Sequence, residues 1–95
     1  MNESDIVKKI ISYLRTVQNC FCWKEHGGMY GTAGIPDIIS CIDGQFIAFE
    51  VKTATGKTTA LQDSTIAKIR KAGGVAVVVR SVDDVKAVIE ETKIQ

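Results

Sequence analysis

An aspartate follows the only proline of this 95-residue chain, at Pro36-Asp37, and a glutamate and a lysine flank a valine at Glu50-Val51-Lys52. Two carboxylates and an ammonium could handle a divalent cation and a phosphate if the chain brings them together. The residues in between predict that it does. Asp43-Gly44 separates two apolar runs, 37–42 and 45–52, and Asp-Gly in that setting is the strongest short-range signal for a hairpin closed by a two-residue type I′ turn. The turn pairs Ile42 with Gln45, and the same register carried outward sets Asp37 opposite Glu50. Side chains directly opposite share a face of the sheet. Asp37, Ile39 and Cys41 therefore lie with Phe46, Ala48, Glu50 and Lys52, while Ile38, Ser40, Ile42, Ile47, Phe49 and Val51 take the other side. Near the turn both faces are mostly apolar, which predicts that both are covered.

Opposite residues in such a pair have Cα atoms only ~4.5–5.5 Å apart, and like charges there destabilise a sheet. A cation bridging the pair removes the conflict. Mg²⁺ suits it, because that ion is usually held by one or two carboxylates and fills its shell with water and substrate phosphate. Lys52 falls on the same face, within reach of the same phosphate. A plain ion pair of Lys52 with Glu50 or Asp37 at the end of a hairpin is the other reading of these residues. Glu3 and Gln62 also point towards this place. Glu3 heads an apolar stripe, Val7, Ile10, Leu14 and Val17, so it aims at the sheet; it is equally an acidic residue favouring a helix amino terminus. Gln62 shares a helix face with Ile66 and Ile69, and Thr59-x-x-Gln62 is also a capping box.

The elements that would position these residues follow from periodicity and punctuation. The spacing predicts a helix over 2–18, with Asp5, Lys8, Lys9 and Ser12 towards water. Residues 20–25 form a short aromatic-rich strand, with Phe21 and Trp23 expected in the core. A glycine-rich loop follows around Met29 and Tyr30, side chains that could touch a nucleic acid. After the hairpin and a polar loop over 53–58 comes a helix over 59–72, closed by Gly73-Gly74. Residues 75–79 are apolar throughout, as in a buried strand, and Ser81-Val82-Asp83-Asp84 resembles a capping box opening a last helix to residue 92. The order α-β-β-β-α-β-α predicts an α/β fold, a central mixed sheet with helices on both faces.

Composition narrows the classes further. Apolar residues make up 45% and charged residues 24% of the chain, which excludes disordered, collagen-like and coiled-coil proteins. No apolar run approaches the ~18 residues of a membrane span, and the amino terminus does not have the pattern of a signal peptide. A soluble, cytoplasmic protein is expected. Twelve basic against eleven acidic residues give a net charge of +1, which leaves nucleic-acid binding to local clusters such as Lys8, Lys9, Lys24 and Lys57. Three cysteines, two of them as Cys20-x-Cys22, fit buried small hydrophobes in a reducing compartment rather than a disulfide framework. With His26 they match no closed zinc pattern, so His26 reads as a loop residue. Thr55-Gly56-Lys57-Thr58 is not a phosphate-binding P-loop, because Val51 stands where that pattern needs its first glycine.

At Gly34-Ile35-Pro36-Asp37, Glu50-Val51-Lys52 and Gln62, the sequence resembles the PD-(D/E)XK nuclease superfamily, and within it the small standalone form of the VRR-NUC (virus-type replication-repair nuclease) domain. The resemblance covers nearly the whole chain, 1–95, as one such domain. It implies a restriction-endonuclease-like three-layer fold and metal-dependent hydrolysis of phosphodiesters. Asp37 and Glu50 then match the carboxylates that bind Mg²⁺ or Mn²⁺, and the Val51 carbonyl matches the group that completes the site. Lys52 matches the lysine that orients the attacking water or steadies charge on the phosphate. Glu3 matches a helix carboxylate that assists the metal site, and Gln62 a glutamine near the scissile phosphate.

No appended recognition domain is evident, so structure-selective cutting of branched DNA is expected rather than recognition of a long sequence. A four-way (Holliday) junction has two scissile strands related by a two-fold axis, and a homodimer would supply two active sites. Flaps or nicked duplex are the alternative substrates. A nucleic-acid-binding module without catalysis is the alternative function. A bacterial or phage-infected cytoplasm is the expected setting, with no membrane partner.

Overall fold

The computed structural model describes residues 1–26 and 33–93. Among them the chain forms α1 (Glu3–Leu14), β1 (Cys20–Lys24), β2 (Ile38–Ile42), β3 (Gln45–Val51), α2 (Ala60–Lys71), β4 (Val75–Val79) and α3 (Val82–Lys93). The Asp-Gly turn behaves as its residues dictate. Asp43 and Gly44 both have positive φ, 51° and 80°, the left-handed pair that a type I′ turn requires. The register that follows is unbroken, from Ile42 opposite Gln45 to Ile38 opposite Phe49.

The described strands make one mixed sheet in the order β1-β2-β3-β4. The pairs β1/β2 and β2/β3 are antiparallel. β3 and β4 are parallel, joined by the α2 crossover. Strand alternation sorts the side chains into two cores. On one face Ile38, Ile42, Ile47, Phe49, Val51 and Val79 pack against Ile6, Val7, Ile10 and Leu14 of α1 and against Val85 and Ile89 of α3. On the other, Ile39, Ala48 and Ala76 meet Ile66 of α2. The result is the three-layer α/β architecture expected from the order of elements.

The helix ends follow local chemistry. Asn2 caps α1 by accepting the Asp5 N–H at 2.8 Å. The helix stops at Leu14 rather than near Gln18, because Thr16, Val17 and Asn19 are poor helix formers. The Thr16 and Val17 N–H groups bond back only three residues, to Tyr13 and Leu14, and Asn19 takes a left-handed φ of 58°. Thr59 and Gln62 form a complete capping box on α2. The Gly73 and Gly74 N–H groups close its other end on the Arg70 and Ile69 carbonyls, the bond pattern of a Schellman motif. Only half of the expected box opens α3. Ser81 Oγ accepts the Asp84 N–H at 3.1 Å, but the Asp84 carboxylate accepts from the Arg80 N–H instead.

Two expectations about burial are overturned. Phe21 and Trp23 are 70% and 45% exposed rather than core. They lie on the α2 face of β1, and α2 covers only the β2-β3-β4 part of that face. For the same reason Cys41 and Phe46 are exposed near the turn, so only the α1/α3 face is covered there. The cysteines are free thiols, with Cys20 and Cys22 half-buried and Cys41 exposed. Burial, reinforced by the neighbouring thiols, pushes the Cys20 thiol up to about 11.

This difference between the faces is measurable. Phe49→Ala is expected to cost about 3–5 kcal/mol, the usual range for a buried phenylalanine. Phe21→Ala should stay within about 1 kcal/mol, as for surface substitutions that break no specific interaction. Urea unfolding of the two variants beside the parent checks both.

Candidate active site at the open end of the hairpin

Asp37 immediately precedes β2, and Glu50 is the penultimate residue of β3, at the end of the sheet away from the Asp-Gly turn. Gly34, with φ +81°, brings the chain into this end past α2. A Cβ there would come within 2.7 Å of Thr65 Oγ1 and 2.9 Å of Leu61 Cγ. Asp37 is then locked from two sides. Its carbonyl accepts the Glu25 N–H at 2.8 Å, and its Oδ2 accepts the Val51 N–H at 2.8 Å. The second bond ties the aspartate to the strand that carries Glu50.

Glu50 is 2% exposed. Burial raises its carboxyl from the ordinary 4.5 to about 8, helped by the hydrogen bond to Asp37 and that group's charge, with a smaller push from Glu3. Lys52 pulls the other way and does not prevail. Lys52 is itself 7% exposed. Its N–H donates to the Val79 carbonyl at 3.0 Å, and its Nζ lies 3.9 Å from Glu3 Oε2. The nearest ion-pair partner of the lysine is thus the helix carboxylate and not Asp37 or Glu50. Glu3 comes from the helix layer on the opposite face and meets Lys52 just beyond the end of β3.

Gln62 sits at the start of α2, where its Oε1 accepts the Thr59 N–H at 2.9 Å and its own N–H donates to Thr59 Oγ1 at 3.2 Å. The capping role is therefore real, and it leaves the Nε2 donors outside those two bonds. His26 is exposed beside β1. Met29 and Tyr30, expected in the glycine-rich loop, lie outside the described residues.

One residue of this end has a role that its place after the last strand does not reveal. Arg80 follows β4, and its Nη1 donates to the carbonyls of Thr53 and, at 2.8 Å, Gly56. The Gly56 N–H closes the same turn on Thr53 Oγ1 at 3.1 Å. Arg80 thus braces the loop that joins Lys52 to α2 and carries Lys57. The parallel pairing of Val51 with Val79 places Arg80 beside Lys52, and that pairing is not evident from spacing alone.

The donor set fits a divalent cation. A buried acid is pressed against a second carboxylate, and no cationic side chain is strong enough to keep it ionised. Like-charged neighbours in that position hold a proton until a cation takes its place. Among the described residues no three His, Cys, Asp or Glu side chains gather into a metal cage. Asp37, Glu50 and the Val51 carbonyl would hold the ion, with water in the remaining positions, the manner in which Mg²⁺ is commonly bound. The surroundings also suit an anion. α3 begins at Val82, just after β4, and α2 at Ala60, after the loop that follows Lys52, and helix amino termini favour negative charge.

No family model matches the sequence, and no curated protein is similar enough to match. Solved structures do match. One named "VRR_NUC domain protein" superposes with a TM-score of 0.77 at 22% identity, over 95% of this chain and 86% of its own. Another, named "VRR_NUC domain", gives 0.76 at 24% identity, over 93% and 94% of the two chains. The fold is that of a VRR-NUC domain. At these identities the likeness extends to the VRR-NUC architecture, and the chemistry has to be argued from the residues themselves. No described helix is long and apolar enough to cross a membrane.

The pH dependence of stability follows from Glu50. Its folded-state value of about 8 lies above the ordinary 4.5, so between those values the folded protein holds more protons than the unfolded one. Stability then falls as pH rises. Without divalent cations the melting temperature should drop by several degrees between pH 5 and pH 8, and Glu50→Gln should flatten that slope. Arg80→Ala should speed tryptic cleavage after Lys57 by about tenfold, as expected for a loop-opening equilibrium shifted by ~1.4 kcal/mol. Digestion of the folded protein, read by mass spectrometry, measures it.

Proposed function

We propose that this chain is a Mg²⁺- or Mn²⁺-dependent endonuclease that hydrolyses phosphodiester bonds in branched DNA, with a four-way junction as substrate and a homodimer as the active species. The observation that carries this reading is the juxtaposition of Asp37 with a buried Glu50 whose carboxyl is raised to about 8, beside the buried Lys52.

Asp37 and Glu50 would hold the cation with the Val51 carbonyl. When bound there, a divalent cation would acidify a water and neutralise charge on the phosphate under attack. In hydrolysis the water gives up a proton and its oxygen bonds to phosphorus, while the bond to the leaving sugar oxygen breaks and that oxygen takes up a proton from solvent. Lys52 places a fixed positive charge where negative charge grows on the phosphate. Glu3 holds the Lys52 ammonium and adds to the acidic surround of the cation. Gln62 offers its Nε2 donors to a phosphate while its Oε1 caps α2. Lys57, on the braced loop, meets the DNA backbone. The homodimer follows from the substrate, since two strands related by a two-fold axis call for two sites so related.

A labelled four-way junction, incubated with Mg²⁺ and the parent protein, should be cut at symmetric points on paired strands. Asp37→Asn and Glu50→Gln should abolish cutting, and Lys52→Ala should lower the single-turnover rate by about 10²–10³, the usual loss of a transition-state charge partner. Cutting of a linear duplex control alone would remove the junction from the proposal, and no cutting of either would remove the nuclease.

A further inference from the structure

Three exposed aromatic side chains stand on the same face of the sheet as the carboxylates. In the β1-β2-β3 register, Phe21, Cys41 and Phe46 form one row across the strands, and Trp23, Ile39 and Ala48 the next. Beyond them lie Glu25, Asp37 and Glu50. Trp23 is therefore two residues along the strand from the carboxylate row, about 7 Å at ~3.4 Å per residue. Its ring pairs with Phe21 at 5.8 Å between centroids, tilted by 48°.

The indole is also fixed in place. Trp23 Nε1 donates to Glu25 Oε2 at 2.9 Å. The Glu25 N–H donates to the Asp37 carbonyl, and the Asp37 carboxylate accepts from Val51. A chain of short contacts thus joins an exposed aromatic surface to the site that would hold the cation.

We infer that Phe21 and Trp23 form a stacking platform for an unstacked base of the nucleic acid, beside the phosphate that a cation at Asp37 and Glu50 would hold. The inference rests on the nuclease reading above and narrows its substrate to nucleic acid with a base face exposed near the cut. Base-on-aromatic stacking tolerates any sequence because every base has a π-face. A continuous duplex keeps those faces covered, whereas a single strand or a branch point offers them.

A second copy of the chain fits this surface less well. With rings of ~150–250 Å² each, the fractions exposed at Phe21, Trp23 and Phe46 leave roughly 300 Å² of aromatic surface, against about 800 Å² per partner in a stable interface. A dry interface would also enclose the Glu25 carboxylate, which pairs with no cationic side chain among the described residues of its own chain, and taking it out of water is costly. A nucleotide covers the rings and leaves that carboxylate in water.

Trp23 is the only tryptophan in the chain, so its emission reports on the platform directly. The experiment titrates the full chain with a short oligothymidylate strand, an immobile four-way junction and a continuous duplex of matched length, using Ca²⁺ in place of Mg²⁺ so that a cation is present while cutting is suppressed. Binding of each is followed in parallel by polarisation of labelled DNA. Saturable quenching by the strand and the junction, with none by the duplex, is the expected result. Trp23→Ala and Phe21→Ala should each weaken binding of the single strand by about tenfold, and Trp23→Phe should retain most of it, with circular dichroism confirming the fold. Equal quenching by the duplex overturns the inference, as does DNA binding that leaves the emission unchanged. A DNA-free emission that shifts with protein concentration also overturns it, because a second copy then covers the ring. Metal-dependent cutting without an emission response refutes the platform and leaves the nuclease standing. Selective quenching by a protein that never cuts refutes the nuclease and supports the platform.

Discussion

The site depends on the register of one hairpin. Asp43 and Gly44 take the two left-handed conformations of a type I′ turn, and that turn admits a single pairing of the strands it joins. A slip of one residue would send every side chain to the opposite face. Phe49 and Val51 would then leave the α1/α3 core, and Glu50 would enter it. The hydrophobic alternation of β3 and the turn geometry enforce the same register, which is why two carboxylates that repel one another are nonetheless held side by side. Apolar packing along the remainder of β2 and β3 outweighs a local conflict at their open ends.

That conflict gives the site its electrostatic character. Glu50 is buried, and the cationic side chain nearest it in sequence, Lys52, has its closest carboxylate in Glu3 on another helix. The glutamate is left to accept a proton or a cation. Lys52 is buried together with it, so its charge acts where solvent screening is weak. Around this end converge the entry to β2, the ends of the parallel strands β3 and β4 and the starts of α2 and α3, the crevice at the carboxyl ends of strands where α/β proteins commonly place ligands. Arg80 adds a long-range brace, holding the loop after Lys52 through two of its carbonyls.

The two faces of the sheet are covered unequally. Two helices share the Phe49 side, and α2 alone lies on the other, over the strands nearest its own crossover. A single helix is about 10–12 Å across and neighbouring strands lie about 4.8 Å apart, so α2 over β3 and β4 leaves the β1 side of that face open. Phe21, Trp23 and Phe46 are exposed as a consequence of this geometry. Their alternation reads like a core strand because alternation reports that two faces differ, not which of them is covered.

The elements, the hairpin register and the meeting of Asp37 with Glu50 are legible in the residues alone, because turns, caps and strand alternation are local and each residue's conformational preference acts within a few neighbours. So are the capping box of Thr59 and Gln62 and the water-facing side of α1. Which carboxylate Lys52 meets, how far Glu50 is desolvated, the reach of Arg80 to the loop before α2 and the outward facing of Phe21 and Trp23 emerge only from the packing of the layers. Each of these depends on how far one layer extends over another, or on the parallel pairing of β3 with β4 across an intervening helix. Contacts of that kind join residues distant in the chain, and no local spacing records them.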